Sequence, residues 1–281
     1  MTHNLAIIAG RGSLPQELAF GLRAQGKEPF LIGIEGENES WLEGFEHSVL
    51  GWGQFGQLFK LLAEHKANQV VLAGSVTRPK INIAKMDWGA IRSLPEILAF
   101  MIGGDNSLLS GVINLFEKRG IEVVGAHQVM PKLLATKGPI AGRRPPGKAL
   151  ANIKKAAEAS KVLGGLDIGQ AAVAVGGRVV AVEGIEGTDG MLERVVSMRA
   201  SGRLYENGRF GVLVKTMKPN QEMRVDLPAI GPDTINRLAE AGLRGVGVEA
   251  DRSIILEREK TLKLANFHDI FIYGMDTTGH D

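Results

Sequence analysis

Fold class follows first from the stretch Leu5-Ala6-Ile7-Ile8-Ala9-Gly10-Arg11-Gly12-Ser13-Leu14-Pro15. The five apolar residues predict a buried strand, and the glycines after them predict a tight turn into a helix. Glycines in such a turn let the backbone approach a phosphate, and a helix N-terminus offers unpaired N–H groups. The third glycine of a dinucleotide fingerprint is absent, because Pro15 takes its place. Two interpretations stay open: a nucleotide or sugar-phosphate site, and a merely tight turn.

The same alternation of apolar runs and amphipathic stretches continues to about residue 130. The predicted elements are strands at 5–9, 30–34, 69–74 and 121–125 and helices at 15–25, 55–66 and 108–119. Near-continuous apolar strands separated by helices are typical of a parallel sheet that is covered on both faces. Residues 1–132 are therefore predicted to form a Rossmann-like domain that binds a nucleotide.

A change in charge marks the predicted domain boundary. Seven lysines and arginines and no Asp or Glu occur between residues 123 and 157. The Pro- and Gly-rich centre, residues 133–148, is predicted to be a basic linker. A charge run of this kind is most often solvated, but Arg143 or Arg144 could also lie over a phosphate or an anionic membrane surface.

Residues 149–281 are predicted to form a separate C-terminal α/β domain. The predicted elements are helices at 149–163, 191–200 and 234–241 and strands at 171–175, 179–182, 211–215, 245–248, 253–256 and 270–273. Gly176-Gly177 between two apolar runs predicts a hairpin. The fold class predicted for the whole chain is α/β, with two domains.

Composition narrows the class of protein. The chain has 281 residues and a formal charge of 33 − 31 = +2, which does not favour nucleic-acid binding. It contains no cysteine, so disulfides and thiol catalysis are excluded, and a reducing cytoplasm is expected. We expect no signal peptide and no membrane span, because no leader and no long apolar run is found.

Two further loops of the first domain are candidate binding loops. Gly74, Ser75 and Val76 end the third predicted strand, and Gly103, Gly104, Asp105 and Asn106 precede a helix. Ligands of open α/β sheets bind outside the carboxyl ends of the strands. The predicted substrate-binding residues are therefore those of the two loops together with the turn after the first strand: Gly10, Arg11, Gly12, Ser13, Leu14, Gly74, Ser75, Val76, Gly103, Gly104, Asp105 and Asn106. For Asp105 and Asn106, ordinary helix capping is an equal alternative.

The second domain carries a cluster of carboxylates, hydroxyls and lysines in two loops, 183–190 and 215–233. Asp226 lies in an extended, proline-bounded segment where neither capping nor a solvated helix face explains it, so it is predicted to be a metal ligand or a general base. Lys215 shares a strand face with apolar residues and is expected to point inward or toward a site, with Lys218 near the same anion. Thr188 and Asp189 stand just before a helix, where capping is the alternative.

These motifs closely resemble the LpxI family. The resemblance rests on Gly10-Arg11-Gly12-Ser13-Leu14-Pro15, on Gly103-Gly104-Asp105, on residues 183–189 and on the segment 218–234, which contains Arg224-Val225-Asp226-Leu227-Pro228. It covers essentially the whole chain in order. The C-terminal motifs are far more specific than the glycine turn.

The resemblance implies a magnesium-dependent hydrolase that cleaves UDP-2,3-diacylglucosamine into 2,3-diacylglucosamine 1-phosphate (lipid X) and UMP during lipid A biosynthesis. The family's essential aspartate falls on Asp226. Residues 1–132 are then the nucleotide-sugar-binding domain and residues 149–281 the catalytic domain. The expected catalytic residues are Asp226, Lys215, Lys218 and Thr188, and the expected Mg²⁺ ligands are Asp226 with Asp189 or Glu186.

The expected partner is a lipid-linked nucleotide sugar, and the protein is not expected to bind nucleic acid. The acyl groups of this substrate imply an apolar groove in the protein or peripheral contact with the inner face of the membrane. The protein is also allowed to form a homodimer. Two other functions stay open. A nicotinamide-dependent oxidoreductase would use an acidic residue such as Glu35 after the second strand. A noncatalytic nucleotide-sugar sensor would bind without releasing phosphate.

Overall fold

The computed structural model describes residues 4–37, 40–76, 87, 89, 105–204, 210–219 and 221–276, with the side chains of 105–108 outside that description. The chain divides into two compact units. Unit 1 contains Met1–Pro131 and Glu222–Asp226, and unit 2 contains Lys132–Gln221 and Leu227–Asp281. A short piece of the C-terminal half of the sequence therefore belongs to the N-terminal unit.

Unit 1 is built on a five-stranded parallel sheet. Its strands are β1 (Leu5–Ala9), β2 (Phe30–Ile34), β3 (His47–Leu50), β4 (Gln69–Ala73) and β5 (Glu122–Val123), and its described α-helices are α1 (Ser13–Arg23), α2 (Phe55–Glu64), α3 (Asp105–Glu117) and α4 (Ala126–Val129). The strand order is β3-β2-β1-β4-β5, and all four pairings are parallel. The order reverses direction at β1 and β4, which is where ligands bind in doubly wound sheets.

The core of unit 1 follows from the apolar strands. Phe30, Ile32 and Val70 are buried together with Leu62 of α2 and Phe116 of α3. Strands that are buried on both faces need near-continuous apolar sequence, and that pattern is what predicted them. Among the described strands of unit 1, the pattern missed β3, which reads His-Ser-Val-Leu and lies half-exposed at the sheet edge.

Unit 2 contains a mixed six-stranded sheet. Its strands are β6 (Gly138–Ala141), β7 (Ala171–Val175), β8 (Arg178–Val182), β9 (Val212–Lys215), β11 (Gly245–Glu249) and β13 (Phe271–Met275), and β10 (Ala229–Ile230) pairs separately with β12 (Ile254–Ile255). The order is β6-β13-β11-β9-β7-β8, with β9, β11 and β13 parallel to one another. The helices are α5 (Gly147–Gly165), α6 (Gly187–Ala200), α7 (Pro232–Glu240) and α8 (Arg258–Phe267).

Side-chain alternation divides the core of unit 2 between the two sheet faces. Ala172 and Ala174 of β7 pack in one cluster with Ile153 of α5. Val173, between them, packs on the other face with Leu192 of α6. This period of two is the geometry of a β-strand. The predicted fold class, a parallel-sheet domain and a separate α/β domain, is confirmed.

Three local features refine the prediction. Gly176 and Gly177 make the expected hairpin between β7 and β8, with φ of 55° and 79°, values that favour glycine. The predicted linker at 133–148 contains β6, which pairs antiparallel with β13, so this part of it is a strand. Helix α8 was not predicted, because its charged sequence Arg-Glu-Lys-Thr-Leu-Lys-Leu-Ala-Asn-Phe buries only two residues, Thr261 and Ala265.

Candidate active site

In unit 1 the turns after β1 and β4 are joined at the switch point of the sheet. Arg11 N–H donates to the carbonyl of Ser75 at 2.8 Å, and Ser75 N–H donates back to Arg11 at 3.0 Å. The two backbones lie so close that a Cβ on Gly10 would stand 2.4 Å from the Ser75 oxygen. One on Gly74, whose φ is +87°, would stand 2.5 Å from the Arg11 oxygen. Glycine is therefore required at both positions, because the backbones of the two turns approach each other closely.

The rest of the first predicted loop opens α1. Gly12 is the N-cap residue with a φ of 96°, and Ser13 and Leu14 begin the first turn. Arg11 forms an ion pair with Glu37, which is buried after β2. The loops thus bring Gly10, Arg11, Gly12, Ser13, Leu14, Gly74, Ser75 and Val76 to the carboxyl edge of the sheet.

The third predicted loop is described only in part. Gly103 and Gly104 lie outside the described residues. Asp105 and Asn106 occupy the first positions of α3, and their side chains lie outside the description.

Asp226 belongs to the short excursion Glu222–Asp226, which packs with unit 1. Its backbone N–H donates to the carbonyl of Glu222 at 3.0 Å, so the excursion is a tight turn, and the residue itself is half-buried. The neighbouring Val225 packs against the apolar core of unit 1. The extended segment predicted around Asp226 is therefore a turn at this point.

Arg224 fastens the excursion by two carboxylates. Its guanidinium contacts Glu222 through Nη2–Oε2 at 2.9 Å and Glu117, in the last turn of α3, through Nη1–Oε1 at 2.6 Å. Hydrogen bonds to Glu222 and then to Glu117 raise the pKa of Arg224, and the Arg224 hydrogen bond lowers the pKa of Glu222. Glu117 had no sequence signal, since it is 107 residues away.

One histidine of unit 1 also lies beside the excursion. A Cβ on Gly125 would stand 2.7 Å from His127 Nδ1 and 3.2 Å from the Arg224 Cα. Among the described residues the buried Nδ1 has no hydrogen-bond partner, and burial lowers the pKa of His127. The ring is therefore neutral at physiological pH. No motif in the sequence distinguished this histidine.

In unit 2 the candidate residues follow the carboxyl ends of β8 and β9, which lie at one edge of the sheet. Lys215 is the last residue of β9, is half-buried and donates from Nζ to the Ala229 carbonyl at 3.1 Å. Lys218 Nζ lies 2.7 Å from Asp167 Oδ1. Both ammonium groups are thus held beside this edge, each with an oxygen partner.

A buried carboxylate, Glu183, organises the loop after β8. Its Oε1 accepts a 2.6 Å hydrogen bond from the Thr188 hydroxyl, and its Oε2 accepts one of 2.7 Å from the Gln170 N–H. Thr188 lies in the first turn of α6 behind the N-cap residue Glu186 and makes no cap of its own. Capping therefore does not explain this threonine. The sequence offered no way to assign Glu183 this role.

Two more buried polar contacts were missed at the same edge. The hydroxyls of Ser160 and Thr216 lie 2.7 Å apart, and Ser160 donates to the Gln170 carbonyl at 2.6 Å. Glu249, at the end of β11, is buried and accepts the Met217 N–H at 2.7 Å. The sequence signal that could have identified Glu249 is its position as a glutamate at the end of an apolar strand. These bonds satisfy groups whose burial would otherwise be costly.

The two acidic residues predicted to accompany Asp226 at a metal are each paired with an arginine. Glu186 forms an ion pair with Arg194, and Asp189 Oδ1 lies 3.1 Å from Arg237 Nε. The described part of the chain contains no group of three or more His, Cys, Asp or Glu side chains arranged to hold a metal. Magnesium often uses only one or two carboxylates and takes further ligands from substrate phosphates and water. A single carboxylate such as Asp226 fits that donor set, whereas a protein-only cage does not.

Fold and site together define a two-unit α/β protein with glycine turns at a parallel-sheet switch point and paired lysines at a second sheet edge. The family model of the LpxI N-terminal domain matches residues 4–133, and that of the LpxI C-terminal domain matches residues 136–273. A relative from Caulobacter vibrioides, named UDP-2,3-diacylglucosamine pyrophosphatase LpxI, is 39% identical over 272 residues, which cover 97% of each chain. The chain belongs to the LpxI family. The predicted family and the predicted enzyme class, a hydrolase, are confirmed.

None of the helices in the described part of the chain has the length and apolar character that crossing a membrane requires.

Proposed function

We propose that the protein hydrolyses the pyrophosphate bond of UDP-2,3-diacylglucosamine in the presence of Mg²⁺ and releases lipid X and UMP for lipid A biosynthesis. The observation that carries the proposal is identity of 39% along 97% of a relative named for this substrate. Since both family models match in order, the proposal applies to the whole chain.

Unit 1 supplies the elements expected of a nucleotide site. The turn after β1 leads into the N-terminus of α1, and helix N-termini favour anions through their unpaired N–H groups. In this proposal residues 10–14 and 74–76 contact the nucleotide part of the substrate. A side chain at Gly10 or Gly74 would collide with the opposite turn, so the backbone of these two loops carries no side chain at either position.

Asp226 is the proposed centre of the reaction. Its carboxylate would hold Mg²⁺ or accept a proton from the attacking water, and the tight turn fixed by Arg224 would hold it in place. Bound Mg²⁺ would neutralise part of the charge on the pyrophosphate. Lys215 and Lys218 would stabilise negative charge that develops on the phosphoryl oxygens. Thr188, held by Glu183, would position the loop after β8.

The direct test is product analysis on the purified full chain. UDP-2,3-diacylglucosamine is incubated with Mg²⁺ or with a chelator, and UMP and lipid X are separated by chromatography. We expect both products in equal amounts with Mg²⁺ and almost none with the chelator. Release of UDP instead of UMP, or equal rates in both conditions, would overturn the corresponding part of the proposal.

The same assay separates the two other functions considered from the sequence. An oxidoreductase would change the absorbance of a nicotinamide cofactor and release no UMP. A sensor would bind the nucleotide sugar and leave it intact. Hydrolysis in water labelled with ¹⁸O adds a further result, because the label appears in whichever product contains the attacked phosphorus.

A further inference from the structure

Four aliphatic side chains at one end of unit 2 are exposed to solvent. Val162 and Leu166 are 65% and 67% exposed, Ile168 is 49% exposed, and Ile185 is as accessible as in an isolated extended chain. Single exposed apolar residues are common on protein surfaces, whereas contiguous groups mark interaction sites. The four residues therefore indicate an interaction site only if they lie close together in the structure.

Backbone contacts bring the four residues together, and we call them the aliphatic corner. Val162 and Leu166 are one helical turn apart, with Leu166 N–H donating to the Val162 carbonyl at 3.2 Å. The segment after α5 then packs on the loop after β8, since a Cβ on Gly169 would stand 2.4 Å from the Glu183 oxygen. Ile168 and Ile185 flank that contact. The end of α5 and two loops in backbone contact thus carry all four exposed aliphatic side chains.

Helix α5, which leads to the aliphatic corner, carries a strong positive charge. All of its charged residues are exposed, namely Lys148, Lys154, Lys155, Glu158 and Lys161. Lys155 and Glu158 are neighbours with Nζ and Oε2 3.5 Å apart. The helix therefore has a net charge of four lysines against one glutamate, and it continues the basic stretch that begins at residue 123.

We propose that the aliphatic corner and the lysines of α5 dock on the surface of an anionic phospholipid bilayer. Protein interfaces are enriched in aromatic residues and arginine and depleted in lysine. This surface has the opposite composition, with lysines and with aliphatic side chains that range from 49% exposed to fully exposed. Lysines are attracted to anionic headgroups, and aliphatic side chains insert at the boundary between headgroups and acyl chains.

The docking surface lies beside the proposed catalytic residues of unit 2. A Cβ on Gly164 would stand 3.3 Å from the Lys218 Cα, and Lys218 Nζ pairs with Asp167 between Leu166 and Ile168. A bilayer on this corner would bring a diacylated substrate next to Lys218. The inference goes beyond the proposed function, because vesicle binding requires neither substrate nor turnover.

Co-sedimentation with vesicles tests the proposal on the full chain. One set of vesicles contains phosphatidylglycerol and phosphatidylethanolamine, and a second contains phosphatidylcholine alone. We expect binding to the first set, weaker binding at high salt because charge is screened, and little binding to the second. Equal binding to both sets, or none to either, would contradict the proposal.

Two variants with matched controls locate the surface. The double substitution L166S/I185S should weaken vesicle binding roughly tenfold or more, whereas F267S, which changes an 82% exposed residue of unit 2, should not. The triple substitution K154Q/K155Q/K161Q should weaken it about 100-fold, since each lysine near an anionic surface contributes about fivefold, whereas K132Q/K260Q/K263Q should retain it. Thermal melts confirm that each variant is folded.

Other occupants of the corner give distinguishable results. If L166S/I185S converts a dimer into a monomer and leaves vesicle binding unchanged, a second copy covers the corner and the proposal is wrong. If it only raises KM for detergent-dispersed substrate, the corner binds the substrate's own acyl chains and the proposal is wrong. The vesicles contain no substrate, so failure of the proposed hydrolysis would leave the binding result intact.

Discussion

Single residues at the carboxyl edges of the two sheets, Gly74 in unit 1 and Thr188 in unit 2, stabilise the candidate loops. Gly74 is the clearest example, because two features exclude a side chain there. Its φ is +87°, and a Cβ would lie 2.5 Å from the Arg11 oxygen. The neighbouring atoms are backbone and are fixed by the hydrogen bonds between Arg11 and Ser75. They cannot move aside to admit a methyl group.

We therefore expect Gly74→Ala to lower the free energy of unfolding by more than the roughly 1–2 kcal/mol of left-handed strain alone. Gly26→Ala is the matched control, since Gly26 has a φ of +75° and no atom within 4 Å of the place where its Cβ would stand. Urea denaturation of both variants measures the difference. Equal losses in the two variants would show that the close approach of the turns carries no cost.

Thr188 provides a second prediction at this scale. Thr188→Val removes the hydroxyl that donates to the buried Glu183 and leaves a carboxylate oxygen without that donor. The expected cost is about 1–3 kcal/mol of stability. Thr188→Ser keeps the hydroxyl and should stay close to the unchanged protein in a denaturant titration. A valine variant as stable as the serine variant would contradict this role for Glu183.

At the scale of elements, the excursion Glu222–Asp226 depends on an ion pair between distant parts of the chain. Arg224 and Glu117 are partly exposed, so their pair contributes only about 0–1 kcal/mol to global stability. Its local effect is larger, because it fastens the turn that carries Asp226 to α3. We expect Glu117→Ala to lower kcat at least about fivefold with little change in KM or melting temperature, as loosened positioning reduces rates.

Amide hydrogen exchange supplies the independent readout for Glu117→Ala. Exchange should accelerate at residues 224–226 and remain unchanged in β1 and β4. Glu28→Ala is the control, because it removes a comparable ion pair with Arg23 in the same unit. If both variants have the same exchange and the same kcat, the contact between Arg224 and Glu117 does not position Asp226.

The strands and helices also show which parts of the fold could be predicted from the sequence. The apolar runs predicted β1, β2 and β7 with the bounds that the structure has, since buried strands need little besides hydrophobic side chains. The charged helix α8 and the half-exposed strand β3 escaped, because tertiary contacts rather than periodicity specify them. Asp226 was singled out from its sequence surroundings. The partners of its turn, Glu117 and the core of unit 1, are distant in sequence and only the fold reveals them.

At the scale of the whole molecule, two α/β units share one chain in an interleaved order. The chain leaves unit 2 at Gln221, contributes Glu222–Asp226 to unit 1 and returns at Leu227. Truncation of the chain before residue 222 would therefore remove the proposed catalytic aspartate from unit 1 together with part of unit 2. The full chain is the form in which the proposed hydrolysis has to be measured.

The most direct test of the central claim compares UMP release from UDP-2,3-diacylglucosamine by the unchanged protein, Asp226→Asn and Asp233→Asn. Asp233 is an exposed aspartate of the same sequence segment, in the first turn of α7, and serves as the matched control. We predict that Asp226→Asn lowers kcat by about 10²–10⁴-fold, as expected on loss of a general base or metal ligand, and still binds the substrate. Asp233→Asn should stay within roughly twofold of the unchanged protein, as expected for a surface substitution. Near-normal UMP release by a folded Asp226→Asn variant would contradict the account.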